Sequence, residues 1–196
     1  MAPRLQKSPV TVSHLRIIGG EWRSRKLPFA ASAGVRPTPD RVRETAFNWL
    51  QPVIAGARCL DLFAGSGAFG FEAVSRGAAA AILVEEDLRV VQTLQKNVEL
   101  LQTDNVHVQW MDARQFLATS REKPFDIVFL DPPYRDDIND WARRLADSPL
   151  LGASAWIYVE ASSRTTLQLP PGWELQRSKH AGDVGYHLAR RRDSAA

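Results

Sequence analysis

The feature that most constrains the fold is an alternation. Short apolar runs at Arg58–Asp61, Ala81–Glu85, Val106–Trp110, Phe125–Asp131 and Ala155–Glu160 are separated by segments whose apolar residues recur at helical spacing. Those segments are Phe69–Arg76, stopped by Gly77; the stripe Leu88, Val91, Leu94, Val98 and Leu101; a short turn around Phe116; and Ile138, Trp141 and Leu145. Four of the runs are continuous enough to be buried on both faces, which strands manage only inside a sheet covered by helices on each side. After Pro170 and Pro171, runs around Glu174–Arg177 and Val184–Ala189 flank Gly182 and read as an antiparallel hairpin closing the sheet edge. The 196 residues suit one domain.

What precedes the first run differs in character. From Met1 to Thr45 there are nine Lys/Arg against three Asp/Glu, whereas Ala46–Ser163 carries ten against sixteen. A basic head of this kind is the electrostatic footprint of phosphate-backbone binding, and a solvated charged surface is its plainer explanation. Gly19, Gly20, Trp22 and Gly34 suggest a short strand or hairpin and then a loop. Thr38 before Pro39 has the chemistry of a helix start, followed by Val42, Ala46, Trp49, Leu50 and Val53 at helical spacing. The expected division is a disordered segment 1–14, a basic arm and helix 15–53, a core 54–190 and a disordered tail 191–196.

No run approaches the roughly 18 consecutive apolar residues of a membrane helix, and the first residues lack a secretory apolar region, so a soluble cytoplasmic protein is expected. Cys59 is single and sits in an apolar run, where a cysteine acts as a small hydrophobe. The four histidines, His14, His107, His180 and His187, match no metal or hydrolase spacing, and no metal is expected.

Chemistry concentrates at the carboxyl ends of the runs. Asp61-Leu62-Phe63-Ala64-Gly65-Ser66-Gly67-Ala68-Phe69-Gly70 follows a strand and opens a helix. Gly65, Gly67 and Gly70 also satisfy the G-x-G-x-x-G of dinucleotide sites, a weak match alone. Asp61 separates the alternatives: a carboxylate repels a pyrophosphate but suits a cofactor carrying a sulfonium and an amino-acid moiety. Glu85 ends the next strand, where a carboxylate accepts both ribose hydroxyls of an adenosine cofactor. Asp87 is a candidate helix cap. Asp112 ends the third strand and either accepts from an adenine amino group or caps the short helix, or does both.

Asp131-Pro132-Pro133-Tyr134 is the most specific signal. It follows Ile127-Val128-Phe129-Leu130, at the strand end where open α/β sheets bind ligands. An exocyclic base amine is a poor nucleophile because its lone pair is delocalised into the ring. A carboxylate on Asp131 and a backbone carbonyl at Pro132 that accept its two N–H groups would localise that lone pair, while Tyr134 stacks on the extruded base, a contact worth about 1–3 kcal/mol.

These motifs, together with Arg16-Ile17-Ile18-Gly19-Gly20, Trp22, Arg23, Arg25-Lys26-Leu27-Pro28, Arg36-Pro37-Thr38-Pro39-Asp40-Arg41-Val42-Arg43-Glu44 and Phe47-Asn48-Trp49-Leu50, resemble the RsmD family of bacterial 16S ribosomal RNA guanine-N2 methyltransferases. The resemblance runs from about Arg16 to Leu188. It implies a class I, Rossmann-like methyltransferase: a seven-stranded, mostly parallel sheet with an antiparallel C-terminal hairpin and a basic N-terminal arm. It further implies S-adenosylmethionine as donor, one guanine of the small ribosomal subunit as target, and action as a monomer. Ser24 stands where the family often has glycine. The expected site is then Asp131, Pro132 and Tyr134 for catalysis; Asp61, Phe63, Gly65, Gly67, Glu85, Asp112 and Ala113 for the cofactor; and Arg16, Arg23, Arg25, Lys26, Arg36, Arg41 and Arg43 for RNA. Three other readings compete. A DNA adenine-N6 methyltransferase shares the Asp-Pro-Pro-Tyr chemistry but usually needs a larger recognition region than the arm of some 40 residues. A nicotinamide oxidoreductase leaves that motif unexplained. A non-catalytic RNA-binding module has no need of Asp61, Glu85 and Asp131 at successive strand ends.

Overall fold

A computed structural model describes residues 12–30 and 38–192. Its elements, in chain order, are β1 (Val12–Arg16), β2 (Lys26–Ala30), α1 (Asp40–Leu50), β3 (Arg58–Asp61), α2 (Ala68–Ser75), β4 (Ala80–Glu85), α3 (Leu88–Leu101), β5 (Val106–Trp110), α4 (Ala113–Thr119), β6 (Phe125–Leu130), α5 (Ile138–Ala146), β7 (Leu151–Ser162), β8 (Trp173–Ala181) and β9 (Val184–Arg191). The first two strands pair antiparallel as a separate ribbon, with Leu15 opposite Leu27. The other seven form one sheet in the order β5-β4-β3-β6-β7-β9-β8. Pairings from β5 across to β7 are parallel, and β9 runs antiparallel to both β7 and β8.

Side-chain alternation along these strands divides the core into two layers. Cys59, Ala81, Leu83, Ile127, Phe129 and Tyr158 point into a cluster with α1, α2 and α3. Leu60, Ile82, Val84, Val128, Leu130, Ile157 and Val159 point the other way, onto α4 and α5. The edge strand β5 keeps only Val106 buried, in line with its weaker apolar run. No helix among the described residues is long and apolar enough to cross a membrane.

The arm is part of the same core. Ile17, Trp22 and Leu27 share the first cluster with Phe47, Phe71 and Phe129. Its attachment is polar as well as apolar. Glu72 lies in α2, all of whose residues are buried, and its carboxylate accepts from Ile18 N and Gly19 N at 2.8 Å each and from Arg76 Nε at 2.6 Å. Next to it, Ser75 Oγ accepts from Trp22 N and donates to Gly19 O, while Ser75 O accepts from Glu21 N. The approach is so close that a Cβ at Gly20, where φ is +75°, would land on the Ser75 carbonyl. Asn97 of α3 holds the ribbon from the other side, donating to Pro28 O at 2.9 Å.

Five expectations are corrected here. Val12–His14, expected within a disordered head, belong to β1 and pair with β2, and Arg191, expected within a disordered tail, belongs to β9 and pairs with Trp173 of β8. Residues 1–11 and 193–196 lie outside the described residues. The turn around Phe116 is a two-turn helix, and β7 starts four residues before Ala155. Thr38 does not cap α1: the cap position is Pro39, whose carbonyl accepts from Val42 N and Arg43 N, and the Thr38 hydroxyl points elsewhere. Arg43 is not a surface cation. It is 0% exposed, its Nη2 donating to Arg16 O at 3.0 Å and to Asp40 Oδ1 at 2.6 Å, and its Nη1 lying 3.8 Å from Glu72 Oε2.

Ser24 has φ +69°, a left-handed conformation that an L side chain occupies at a cost and glycine accepts freely. A glycine, which the resemblance leads one to expect here, would adopt this turn without that cost. The central clasp is Glu72, because its removal strands a buried guanidinium and two backbone N–H groups at once. Glu72→Ala is expected to cost about 3–5 kcal/mol in urea unfolding, against within about 0.5 kcal/mol for the exposed Glu44→Ala on α1. Equal stability of the two variants would mean that the clasp carries no load.

Candidate active site

The sheet reverses its strand order at β3, from which the chain runs to β4 on one side and, later, to β6 on the other. Crevices form outside the carboxyl ends of strands at such a reversal. Register places the acidic residues there. Asp61 pairs with Leu83 and Phe129, Glu85 with Trp110, and Leu130 with Val159, so Asp61, Glu85, Asp131 and Glu160 all emerge at one edge.

Asp61 is buried, and its Oδ2 accepts from Gly70 N at 3.0 Å at the start of α2. Burial, with a smaller contribution from the Glu85 charge and against that hydrogen bond, pushes its pKa up to about 7. Glu85 is half-buried and oriented by two backbone donors: Gly65 N to Oε2 at 3.0 Å and Asp87 N to Oε1 at 2.9 Å. Each oxygen keeps a free lone pair for a ribose hydroxyl. Gly65 and Gly67 have φ +50° and +75°, and a Cβ at Gly67 would come within 2.5 Å of the Phe71 ring. The loop therefore requires glycine there to turn from β3 into α2.

The remaining expected cofactor residues are arranged differently. Asp112 caps α4, accepting from Arg114 N at 2.8 Å and Gln115 N at 3.1 Å, and Asp87 caps α3 in the same way. Ala113 is buried as the first residue of α4, and the half-buried Phe63 packs edge-on against Trp141 with ring centroids 4.8 Å apart.

Asp131 is half-buried, whereas Tyr134 is 65% exposed, a large aromatic left facing solvent. The Asp131 carboxyl is pushed well above the usual carboxylate range, first by burial, then by the charges of Glu160 and Asp61, while a hydrogen bond from Thr38 opposes the rise. Glu160, which the sequence reading passed over as the end of a strand, is 4% exposed. It accepts from Tyr158 OH at 2.9 Å, and Thr38 Oγ1 lies 3.2 and 3.4 Å from its two oxygens and 3.5 Å from Asp131 Oδ2.

Among the described residues none of Asp61, Glu85, Asp131 and Glu160 takes part in an ion pair. A crevice with four acidic groups and no cation beside them repels a pyrophosphate and favours a ligand that brings positive charge of its own. S-adenosylmethionine fits on that ground: Asp61 is a buried carboxyl lacking a cation, and Glu85 is aimed for a ribose. No group of three or more His, Cys, Asp or Glu among the described residues could hold a metal ion.

The expected RNA contacts divide. Arg23, Arg25, Lys26 and Arg41 are exposed; Arg16 is exposed but paired with Asp40 at 2.9 Å; Arg43 is buried; Arg36 lies outside the described residues.

Comparison with known proteins extends over nearly the whole chain. The family model described as Conserved hypothetical protein 95 matches residues 15–190. The "Ribosomal RNA small subunit methyltransferase D" of Escherichia coli is 50% identical over 179 residues, covering 90% of each chain. The protein of that name from Haemophilus influenzae is 42% identical, over 93% of this chain and 96% of its own. A solved Escherichia coli structure described as a methyltransferase superposes with a TM-score of 0.83 at 49% identity, covering 92% of this chain and 99% of that one.

The raised Asp61 pKa has a measurable sign. In the unfolded chain the carboxyl titrates near 3.8; folding holds it protonated up to about 7, so ionisation is penalised in the folded state. Its contribution to stability is therefore lost as pH rises from about 4 to about 7, by at most about 4 kcal/mol, and stays lost above. Asp61→Asn should gain stability relative to the parent as pH rises through that window in urea unfolding of the ligand-free protein. A difference independent of pH would contradict the assignment.

Proposed function

Because the chain belongs to the Conserved hypothetical protein 95 family, in company with small-subunit ribosomal RNA methyltransferases, we propose that it transfers a methyl group from S-adenosylmethionine to the exocyclic N2 of one guanine in 16S ribosomal RNA. The particle it acts on is the small ribosomal subunit in the cytoplasm, and it acts as a monomer. The observation that carries the chemistry is the placement of Asp131 and Pro132 directly after β6, at the same strand-end edge as Asp61 and Glu85, with the exposed Tyr134 following in the motif.

When bound, the donor supplies an electrophilic methyl on a sulfonium, whose C–S electrons leave with sulfur. Asp61 and Glu85 would hold the cofactor by its ammonium and its ribose, with Gly65 and Gly67 keeping the loop clear of side chains. Asp112 and Ala113, at the start of α4, would take the adenine end, with Phe63 held in place by Trp141. Tyr134 stacks on a guanine taken out of its surroundings, which fixes the ring over the motif. Asp131 and the Pro132 carbonyl accept the two N–H groups of the amine. Both acceptors gain strength as the nitrogen becomes cationic, so the interaction is greatest in the transition state. Asp131→Ala is thus expected to lower turnover by at least a hundredfold while S-adenosylhomocysteine affinity, read by calorimetry, stays within a few-fold. Near-normal turnover from the folded variant would refute the assignment.

Capture of the RNA falls to Arg23, Arg25 and Lys26, with Arg41 at the start of α1 and Arg16 through whatever charge Asp40 leaves free. Arg36 is assigned to the same surface from its sequence position. Phosphate contacts make affinity fall with salt. Charge reversal at Arg23, Arg25 and Lys26 should weaken binding of the subunit and reduce the slope of log affinity against log salt by about two, with S-adenosylhomocysteine binding unchanged. Equal slopes in parent and variant would mean that RNA docks elsewhere.

A further inference from the structure

Leu130 and Val159 are paired in register on the adjacent parallel strands β6 and β7, so Asp131 and Glu160 leave the sheet side by side. A single hydroxyl, Thr38 Oγ1, has three carboxylate oxygens within 3.2–3.5 Å but only one proton to give. Tyr158 OH is committed to Glu160 Oε2 at 2.9 Å. Glu160 is thus the better supplied of the two carboxyls, with Asp131 at the margin of the same hydroxyl. No cation among the described residues offsets either charge.

The amine of the substrate must lose a proton when it becomes methylated. Its nitrogen forms the N–C bond, the C–S electron pair leaves with sulfur, and an N–H bond breaks with its pair remaining on nitrogen. The released proton needs an acceptor close by. Resting on the reading of Asp131 as the residue that holds the amine, we propose that Glu160 and Thr38 are positioning residues that tune Asp131 into the proton acceptor of the reaction: the fixed Glu160 charge strengthens Asp131 as a base, and the Thr38 hydroxyl limits that effect. The proton ends on an Asp131 oxygen, leaving the pair singly protonated with the negative charge on Glu160, where Tyr158 and Thr38 donate to it.

The groups facing the pair act in opposite directions, as the two roles require. Glu160 from β7 and Asp61 from β3 both raise the proton affinity of Asp131, and Thr38 lowers it. Burial pushes the Glu160 carboxyl up, and the hydrogen bonds from Tyr158 and Thr38 oppose that rise. The phenols of Tyr134 and Tyr158 are themselves pushed up by burial and then by the Glu160 and Asp131 charges, with smaller contributions from Asp183 on Tyr134 and from Tyr186 on Tyr158, so they stay neutral donors. Thr38 is also the residue through which the arm enters α1, one residue past the segment 31–37 that lies outside the described residues. The base is in this way tied to the part of the chain assigned to RNA.

The test is the pH dependence of single-turnover methyl transfer to small subunits lacking the modification, with saturating donor. A base of strengthened affinity gives an acid limb, and like charges within a pair separate their titrations. Glu160→Gln removes the neighbouring charge, so its limb should move to lower pH by a unit or more while the plateau falls about tenfold. Thr38→Val removes the opposing donor, so its limb should move to higher pH, and Thr38→Ser should restore the parent profile. A packing role for either residue moves rates or stability without shifting the two limbs in opposite directions. Limbs at the parent's pH in both Glu160→Gln and Thr38→Val, with Asp131→Asn inactive, would overturn this proposal alone. Parental activity in Asp131→Asn would overturn the reading on which it rests. Should Glu160→Gln fail to fold, the Thr38 pair still decides: a Thr38→Val limb at the parent's pH overturns the proposal.

Discussion

The pairing of β6 between β3 and β7 is the constraint on which the site depends. It brings Asp61, Asp131 and Glu160, spread over a hundred residues of sequence, to one edge of one sheet. Concentrating like charges there is unfavourable for the ligand-free protein, and burial makes it more so: the carboxyls of Asp61, Asp131 and Glu160 all hold their protons more tightly than free ones do. The fold tolerates this through the apolar sheet behind them, in which Leu60, Val128, Leu130 and Val159 are buried on one side and Ile127, Phe129 and Tyr158 on the other. A cationic ligand relieves the strain, which gives the crevice its preference.

The second dependency joins the arm to the core. Glu72 accepts from arm backbone and from Arg76, and Arg43 lies beside it with its guanidinium enclosed. Two of the basic residues of the head, Arg43 and in part Arg16, therefore work inside this attachment and not at an RNA surface. What remains outward, Arg23, Arg25 and Lys26, is held on a turn and strand that cannot shift without breaking the clasp.

Much of this was legible in the sequence, for a physical reason. Buried strands must be apolar throughout, and amphipathic helices must repeat, so the bounds of β3 and α3 are those the apolar pattern gives, and β5 matches as an edge strand with Val106 and Val108 alternating with His107 and Gln109. The start of β7 was not, because Gly152, Ala153 and Ser154 carry no apolar signal where the strand is still at the surface. Thr38 looked like a cap because its local setting suits one, but tertiary contact with Glu160 claimed its hydroxyl. Glu160 itself offered only the hint of an acidic residue ending an apolar run; its partner is 29 residues away and meets it through strand register alone. Arg43 was misjudged because charge was counted without the helical face: it lies four residues before Phe47 and seven before Leu50, both fully buried.

The central claim is that the crevice delivers a methyl group to the N2 of a guanine in small-subunit RNA. It is tested most directly by incubating the protein with S-adenosylmethionine labelled in its methyl group, together with small subunits that lack the modification, and digesting the RNA to nucleosides. The account predicts label in N2-methylguanosine at one position of the 16S chain. Label in any other nucleoside, or none from an enzyme that binds the donor, would contradict it.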